Sequence, residues 1–206
     1  MTDFPSAAAS LIETGRRLDA RGWAPATAGN YSARLADGSI AITVSGTHKG
    51  RLAEAGIMRV ASDGTPLQDG KSSAETLLHC LVYEVDGDAG AVLHTHSVAG
   101  TVLSRALRHA DGIVLAGYEL LKIFPGLGTH DAAVTLPLVD NSQDMPALAA
   151  ALRPLLQAQS PLLPAFYIRG HGLYAWGPTP DAAEMVAEGT EFLIACAWEE
   201  YRGAGL

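Results

Sequence analysis

The sequence predicts an α/β protein whose helices cover a mixed or mainly antiparallel sheet. Two observations carry this expectation. Apolar runs of strand length are interleaved with stretches of helical period, the order of an α/β chain. The turns Asp37-Gly38 and Asp63-Gly64 mark early hairpins, which a purely parallel sheet does not contain. A length of 206 residues suits one domain with one large core, residues 1–206.

The elements follow in order. Ser6 is expected to cap a first helix with Ala8, Leu11, Ile12, Gly15 and Leu18 on one face, ending near Arg21-Gly22. Strands are expected over 31–35 and 40–44, joined through Asp37-Gly38, and over 57–61. Ser72-Ser73-Ala74-Glu75 opens a helix to about Val85. Residues 90–96 read as a buried strand, and Ser97 caps the helix that follows it. Short strands over 113–116, 133–138 and 166–169 alternate with helical stretches. The last helix has Thr179 as cap and Pro180 as its first residue, with Asp181 and Glu184 at the positive end of its dipole. Its residues Met185, Gly189, Phe192 and Cys196 share a face, expected to be the packed one.

Composition narrows the function. The chain is 48% hydrophobic and 17% charged, too apolar for disorder and too interrupted by polar residues to span a membrane. A net charge of -8 leaves nothing to neutralise a nucleic-acid backbone. An anionic small molecule would have to be held by local donors. Cys80 and Cys196 form no C-x-x-C pair and are expected to be buried, reduced thiols. The start, Met1-Thr2-Asp3-Phe4-Pro5, carries no basic region followed by an apolar core, so a cytoplasmic enzyme without a signal peptide is expected.

The most informative segment is His94-Thr95-His96. Alternate residues of a strand share a face, so both imidazoles project together. Zinc favours such nitrogen ligands, and a catalytic zinc usually takes three of them and keeps an open position. Two unpaired rings at the end of the core strand Ala91-Val92-Leu93 would be costly without a task. The third ligand comes from His48, His79, His109, His130 or His171. His171 is favoured, because Gly170 and Gly172 let the backbone turn sharply and bring its ring close to another element. The paired histidines also occur in carbonic-anhydrase-like sheets and in cupins, but the cupin pattern needs a Glu where Ala99 or Gly100 stands. A hydrolase pattern of the form H-x-H-x-D-H fails at Val98.

Three loops offer small donors: Thr27-Ala28-Gly29-Asn30, Ser45-Gly46-Thr47 and Lys71-Ser72-Ser73. With a helix N-terminus after Ser73 they make a candidate phosphate cradle, and the absence of a Walker motif turns attention from nucleotides. Glu75 has two readings. Ser72-x-x-Glu75 is a capping box, and a carboxylate beside a metal would act on substrate.

Taken together, Thr27-Ala28-Gly29-Asn30, Ser45-Gly46, Ser72-Ser73-x-Glu75, His94-Thr95-His96 and His171-Gly172 resemble the class II aldolase family, in its order and over nearly the whole chain. The resemblance implies a three-layer α/β/α sandwich with a mainly antiparallel central sheet. It further implies a homotetramer with active sites near subunit interfaces. One Zn2+ per subunit is implied, held by His94, His96 and His171. The implied substrate is a small ketose phosphate, with Thr27, Gly29, Asn30, Ser45, Gly46, Ser72 and Ser73 around it. Within the family, Tyr118-Glu119-Leu120-Leu121-Lys122 and Val139-Asp140-Asn141-Ser142-Gln143-Asp144 look like the branch that removes water from a methylthio-substituted pentulose phosphate in methionine salvage. That likeness implies Glu119 as the acid/base residue, with Glu75 second. A competing reading of Glu119 is an ordinary i, i+3 pair with Lys122. The alternatives are an aldolase or epimerase on another ketose phosphate and a non-catalytic, adducin-like interaction module.

Overall fold

A computed structural model describes residues 2–204; Met1, Gly205 and Leu206, the ends of the expected domain, lie outside them. Among the described residues there are five α-helices: α1 (Phe4–Ala20), α2 (Thr76–Val85), α3 (Val98–Ala106), α4 (Met145–Gln157) and α5 (Pro180–Gly203). The strands are β1 (Asn30–Arg34), β2 (Ile40–Thr43), β3 (Ile57–Val60), β4 (Ala91–Thr95), β5 (Gly112–Ala116), β6 (Ala133–Val139), β7 (Ala165–Ile168) and β8 (Gly172–Gly177). They form one sheet in the order β3-β2-β1-β4-β8-β7-β6-β5. All neighbours are antiparallel except β6 and β7.

The pleat divides the core. Ala91 and Leu93 of β4, with Leu173 and Ala175 of β8, pack beneath α1, α3 and α5. Val92 of β4 and Tyr174 and Trp176 of β8 pack beneath α2 and α4. Each central strand is therefore buried on both sides, which explains why β4 reads as a continuous apolar run. This is the three-layer sandwich that the resemblance implied.

The expected elements recur with small shifts and three corrections. Helix α1 starts earlier, because the Asp3 carboxylate caps it by accepting from the Ser6 amide at 2.9 Å. Ser6 is thus inside the first turn, after Pro5, whose missing N–H costs nothing there. In α5 the stripe of Met185 and Phe192 faces outward, 67% and 55% exposed. The packed face is Ala183, Val186, Ala187, Thr190, Leu193 and Ile194, whose smaller side chains let the helix lie close to the sheet. Cys80 and Cys196 are free but only partly buried. The Thr179 hydroxyl caps α5 as expected, accepting from the Ala182 amide at 3.1 Å, a contact worth about 1 kcal/mol. Among the described residues no helix is long and apolar enough to cross a membrane.

Candidate active site

Cross-strand register builds the site. Asn30 of β1 pairs with His94 of β4, and His94 pairs with Tyr174 of β8, so the three side chains form a row on the α2 face. Tyr174 stacks on His94 with ring centroids 4.2 Å apart, and Phe166 of β7 stacks on Tyr174 at 4.7 Å. His94, at the middle of this row, is fully buried.

His94, His96 and His171 converge, each offering one ligand atom, with those atoms all within 4.8 Å of one another. His94 Nε2 lies 3.3 Å from His171 Nε2. The chemistry of the set fits a metal. Nδ1 of His94 meets the Leu173 carbonyl at 2.9 Å, where it must donate, so Nε2 keeps its lone pair for the site. Burial holds the His94 ring well below its usual pKa, and the neighbouring His96 and His171 add to the shift. Burial likewise takes His96 down to about 4, followed by His171. Neutral imidazoles are the form that binds cations. His96 lies just past β4, where its amide donates to the Trp23 carbonyl at 2.8 Å. His171 sits in the β7–β8 turn, its amide bonded to Ile168 at 3.0 Å.

Two glycines allow this approach. A Cβ on Gly172 would stand 2.1 Å from the Thr95 carbonyl oxygen and 2.7 Å from Cε1 of His94. Gly29, at φ +79°, would place one 2.7 Å from the His94 carbonyl oxygen.

Glu75 completes the cluster. Its Oε1 lies 3.1 Å from His171 Nε2 and its Oε2 3.4 Å from His94 Nε2. Oε2 also accepts from Asn30 Nδ2 at 2.6 Å and from the Tyr174 hydroxyl at 3.0 Å. The capping-box reading is therefore corrected. Glu75 stands just before α2 and makes no side-chain cap, and the carboxylate points into the site instead. The Ser73 hydroxyl accepts from the Glu75 amide at 3.3 Å.

Beside the histidines opens a cavity of about 420 Å³, lined in part by Thr27, Gly29, Asn30, Ser45, Gly46, Ser73, Glu75, His96 and His171. Loops far apart in sequence thus share one space. Ser72 is the exception among the expected substrate-binding residues: it pairs as an isolated bridge with Val44 and does not line the cavity. Lys49, Gln143 and Met145 also line it; the sequence named none of them as a site residue, although Gln143 lies in a stretch that carried the resemblance. Lys49 is 1% exposed, donates to the Thr27 and Thr47 carbonyls at 2.9 and 2.6 Å, and is pushed down to about 8 by burial. Its place in a loop of polar residues gave no sign of burial. Another cleft of equal volume, beside Trp176 and Met185, holds none of the histidines.

Glu119 does not line the cavity of its own chain. It begins a short 3-10 helix, Glu119–Ile123, with its side chain 71% exposed. It pairs with Lys122 and lies 3.7 Å from His130 Nδ1. The bond to Lys122 holds its carboxyl below the usual range. Among the other histidines, His79 is buried in α2, and His48 lies 4.0 Å from Asp19.

Comparisons with known proteins agree with this architecture. The family described as the class II aldolase and adducin N-terminal domain matches residues 9–198. A protein of Gluconacetobacter diazotrophicus named methylthioribulose-1-phosphate dehydratase is 52% identical over 98% of this chain and 97% of its own. One of the same name from Acidiphilium cryptum is 53% identical over 96% of this chain and 92% of its own. Among solved structures, L-fuculose-1-phosphate aldolase from Thermus thermophilus superimposes with a TM-score of 0.67 at 26% identity, covering 96% of this chain and 93% of that one.

Proposed function

The chain belongs to the class II aldolase and adducin N-terminal domain family, and from that premise we infer that it removes water from 5-methylthioribulose 1-phosphate, giving the 2,3-diketo-5-methylthiopentyl 1-phosphate of methionine salvage. The observation that carries the reading is the convergence of three imidazoles and the Glu75 carboxylate on the rim of a cavity walled by small donors. The sequence likeness to named dehydratases extends over nearly the full chain, which favours water loss over aldol cleavage.

His94, His96 and His171 would hold the metal, with zinc as the proposed ion, one per chain. When bound, it supplies Lewis-acid polarisation of the substrate's carbonyl. The remaining work belongs to the chain. Backbone and hydroxyl donors of Thr27, Gly29, Ser45, Gly46 and Ser73 hold the phosphate, with the Lys49 ammonium as the local positive charge. Asn30 and Tyr174 hold one oxygen of Glu75 and leave the other toward the site. Glu75 takes the proton from C3. The electron pair released there expels the hydroxyl of C4, which leaves as water after accepting a proton from an acid. The C3 enol then takes the proton from Glu75 at C4, gives its hydroxyl proton to the deprotonated acid and becomes the second ketone. We assign the acid to Glu119 of a neighbouring copy in a homotetramer. Its exposure and its absence from the lining of its own cavity support that assignment, as does the interfacial site that the family resemblance implies. A cytoplasmic location suits a phosphorylated intermediate.

Incubating the zinc-loaded protein with the ketose phosphate and weighing the products tests the reaction. Loss of one water supports it, and a three-carbon phosphate fragment would instead make the chain an aldolase.

A further inference from the structure

We propose that His79 is a positioning residue that, acting through Asn30, fixes the orientation of the Glu75 carboxylate. The proposal rests on the reading of Glu75 as the reacting base. His79 follows Glu75 by four residues, one turn along α2, and is fully buried. Its Nε2 hydrogen-bonds to Asn30 Oδ1, and its Nδ1 lies 2.7 Å from the Ser32 hydroxyl. Ser32 Oγ lies in turn 2.8 Å from the Tyr83 hydroxyl. A continuous line of hydrogen bonds therefore runs from Tyr83 through Ser32, His79 and Asn30 to Glu75.

Only one direction satisfies every member. A carboxylate is an acceptor, so the Asn30 group 2.6 Å from it must be the amide nitrogen. Asn30 then presents its oxygen to His79, and Nε2 must carry the ring proton. Burial takes His79 down to about 4, so the ring is neutral and Nδ1 has no proton. Nδ1 accepts from Ser32, and Ser32 accepts from Tyr83. With the ring in the other tautomer, Nε2 would accept and Asn30 would turn its oxygen onto the carboxylate. His79 thus decides which end of Asn30 faces Glu75. The Asn30 amide and the Tyr174 hydroxyl, both on Oε2, then leave Oε1 3.1 Å from His171 Nε2.

The test has a readout independent of turnover. Long-range proton–nitrogen NMR of the zinc-loaded, 15N-histidine-labelled protein reports the His79 tautomer, with the signal assigned by its loss in His79→Gln. A proton on Nε2 and a bare Nδ1 are expected. The opposite tautomer, or a charged ring, would overturn the proposal. Kinetics supply the second arm. His79→Leu should lower kcat by about 10–100-fold with little change in KM and a full complement of zinc, the usual scale for a group behind the reacting residues. His79→Gln, which keeps an N–H donor for Asn30, should recover most of that loss. A zinc-replete His79→Leu protein with parental kcat would refute the role, and if that variant fails to fold, the tautomer decides alone. Failure of the parent protein to dehydrate the substrate would count against the reaction, while the tautomer remains readable without substrate.

Discussion

Oε1 of Glu75 lies 3.1 Å from Nε2 of His171. The carboxylate that the sequence allowed as a helix cap is therefore part of the histidine cluster, and it is anchored there by Asn30 and Tyr174. Glu75→Gln keeps the shape and removes the charge. Turnover should fall by about 10²–10⁴-fold, the cost of losing a general base, with the melting temperature almost unchanged. Near-parental activity would return Glu75 to a structural role.

Glu119 is predicted to work across a subunit boundary. Glu119→Gln should keep zinc and fold and lose at least about 10²-fold in rate. His94→Ala should lose zinc and rate. Unfolding and refolding the two variants together would create sites that combine an intact His94 with an intact Glu119 from another copy. Activity should then rise well above either variant alone. Mixed assemblies that stay inactive would exclude action in trans, and an active Glu119→Gln would leave Glu119 only its exposed contacts with Lys122 and His130.

Gly172→Ala tests the packing around His94. The added carbon would meet the Thr95 carbonyl oxygen at 2.1 Å, so β4 and β8 must separate beside His94. Zinc affinity measured against a chelator should fall by about tenfold or more, the scale seen when ligand orientation is disturbed. Unchanged affinity would show that the approach of the two strands does not set the site.

Lys49 gives a pH dependence. Its ammonium is pushed down to about 8 by burial, so it loses its proton as the solution passes that pH. Substrate KM should rise above about pH 8, when the positive charge at the cradle disappears. Lys49→Met should have a raised KM at about pH 7 and no such rise. A parental KM that stays flat to about pH 9 would separate Lys49 from the phosphate.

Local signals account for what was legible in the sequence. The two-residue period brings His94 of β4 beside His96 just past its end, Asp37-Gly38 turns β1 into β2, and Thr179-Pro180 starts α5. What stayed hidden depends on distant partners. Strand β8 follows the His171 turn and inserts between β4 and β7, a pairing no local pattern specifies. Helix α5 carries two apolar stripes, and only the sheet beneath it selects Ala183, Val186 and Leu193 over Met185 and Phe192. Lys49 reads as a loop cation until Thr27 and Thr47 enclose it. Ser72-x-x-Glu75 matches a cap by spacing, yet Asn30 and Tyr174 draw the carboxylate away.

Zinc titration of the metal-free protein, with product identity followed at each addition, tests the central claim most directly. Water loss from 5-methylthioribulose 1-phosphate should be absent before zinc, rise in proportion to added metal and level off at one ion per chain, with His96→Ala showing neither tight binding nor product. Full dehydration by the metal-free protein, or a three-carbon phosphate as the product, would contradict it.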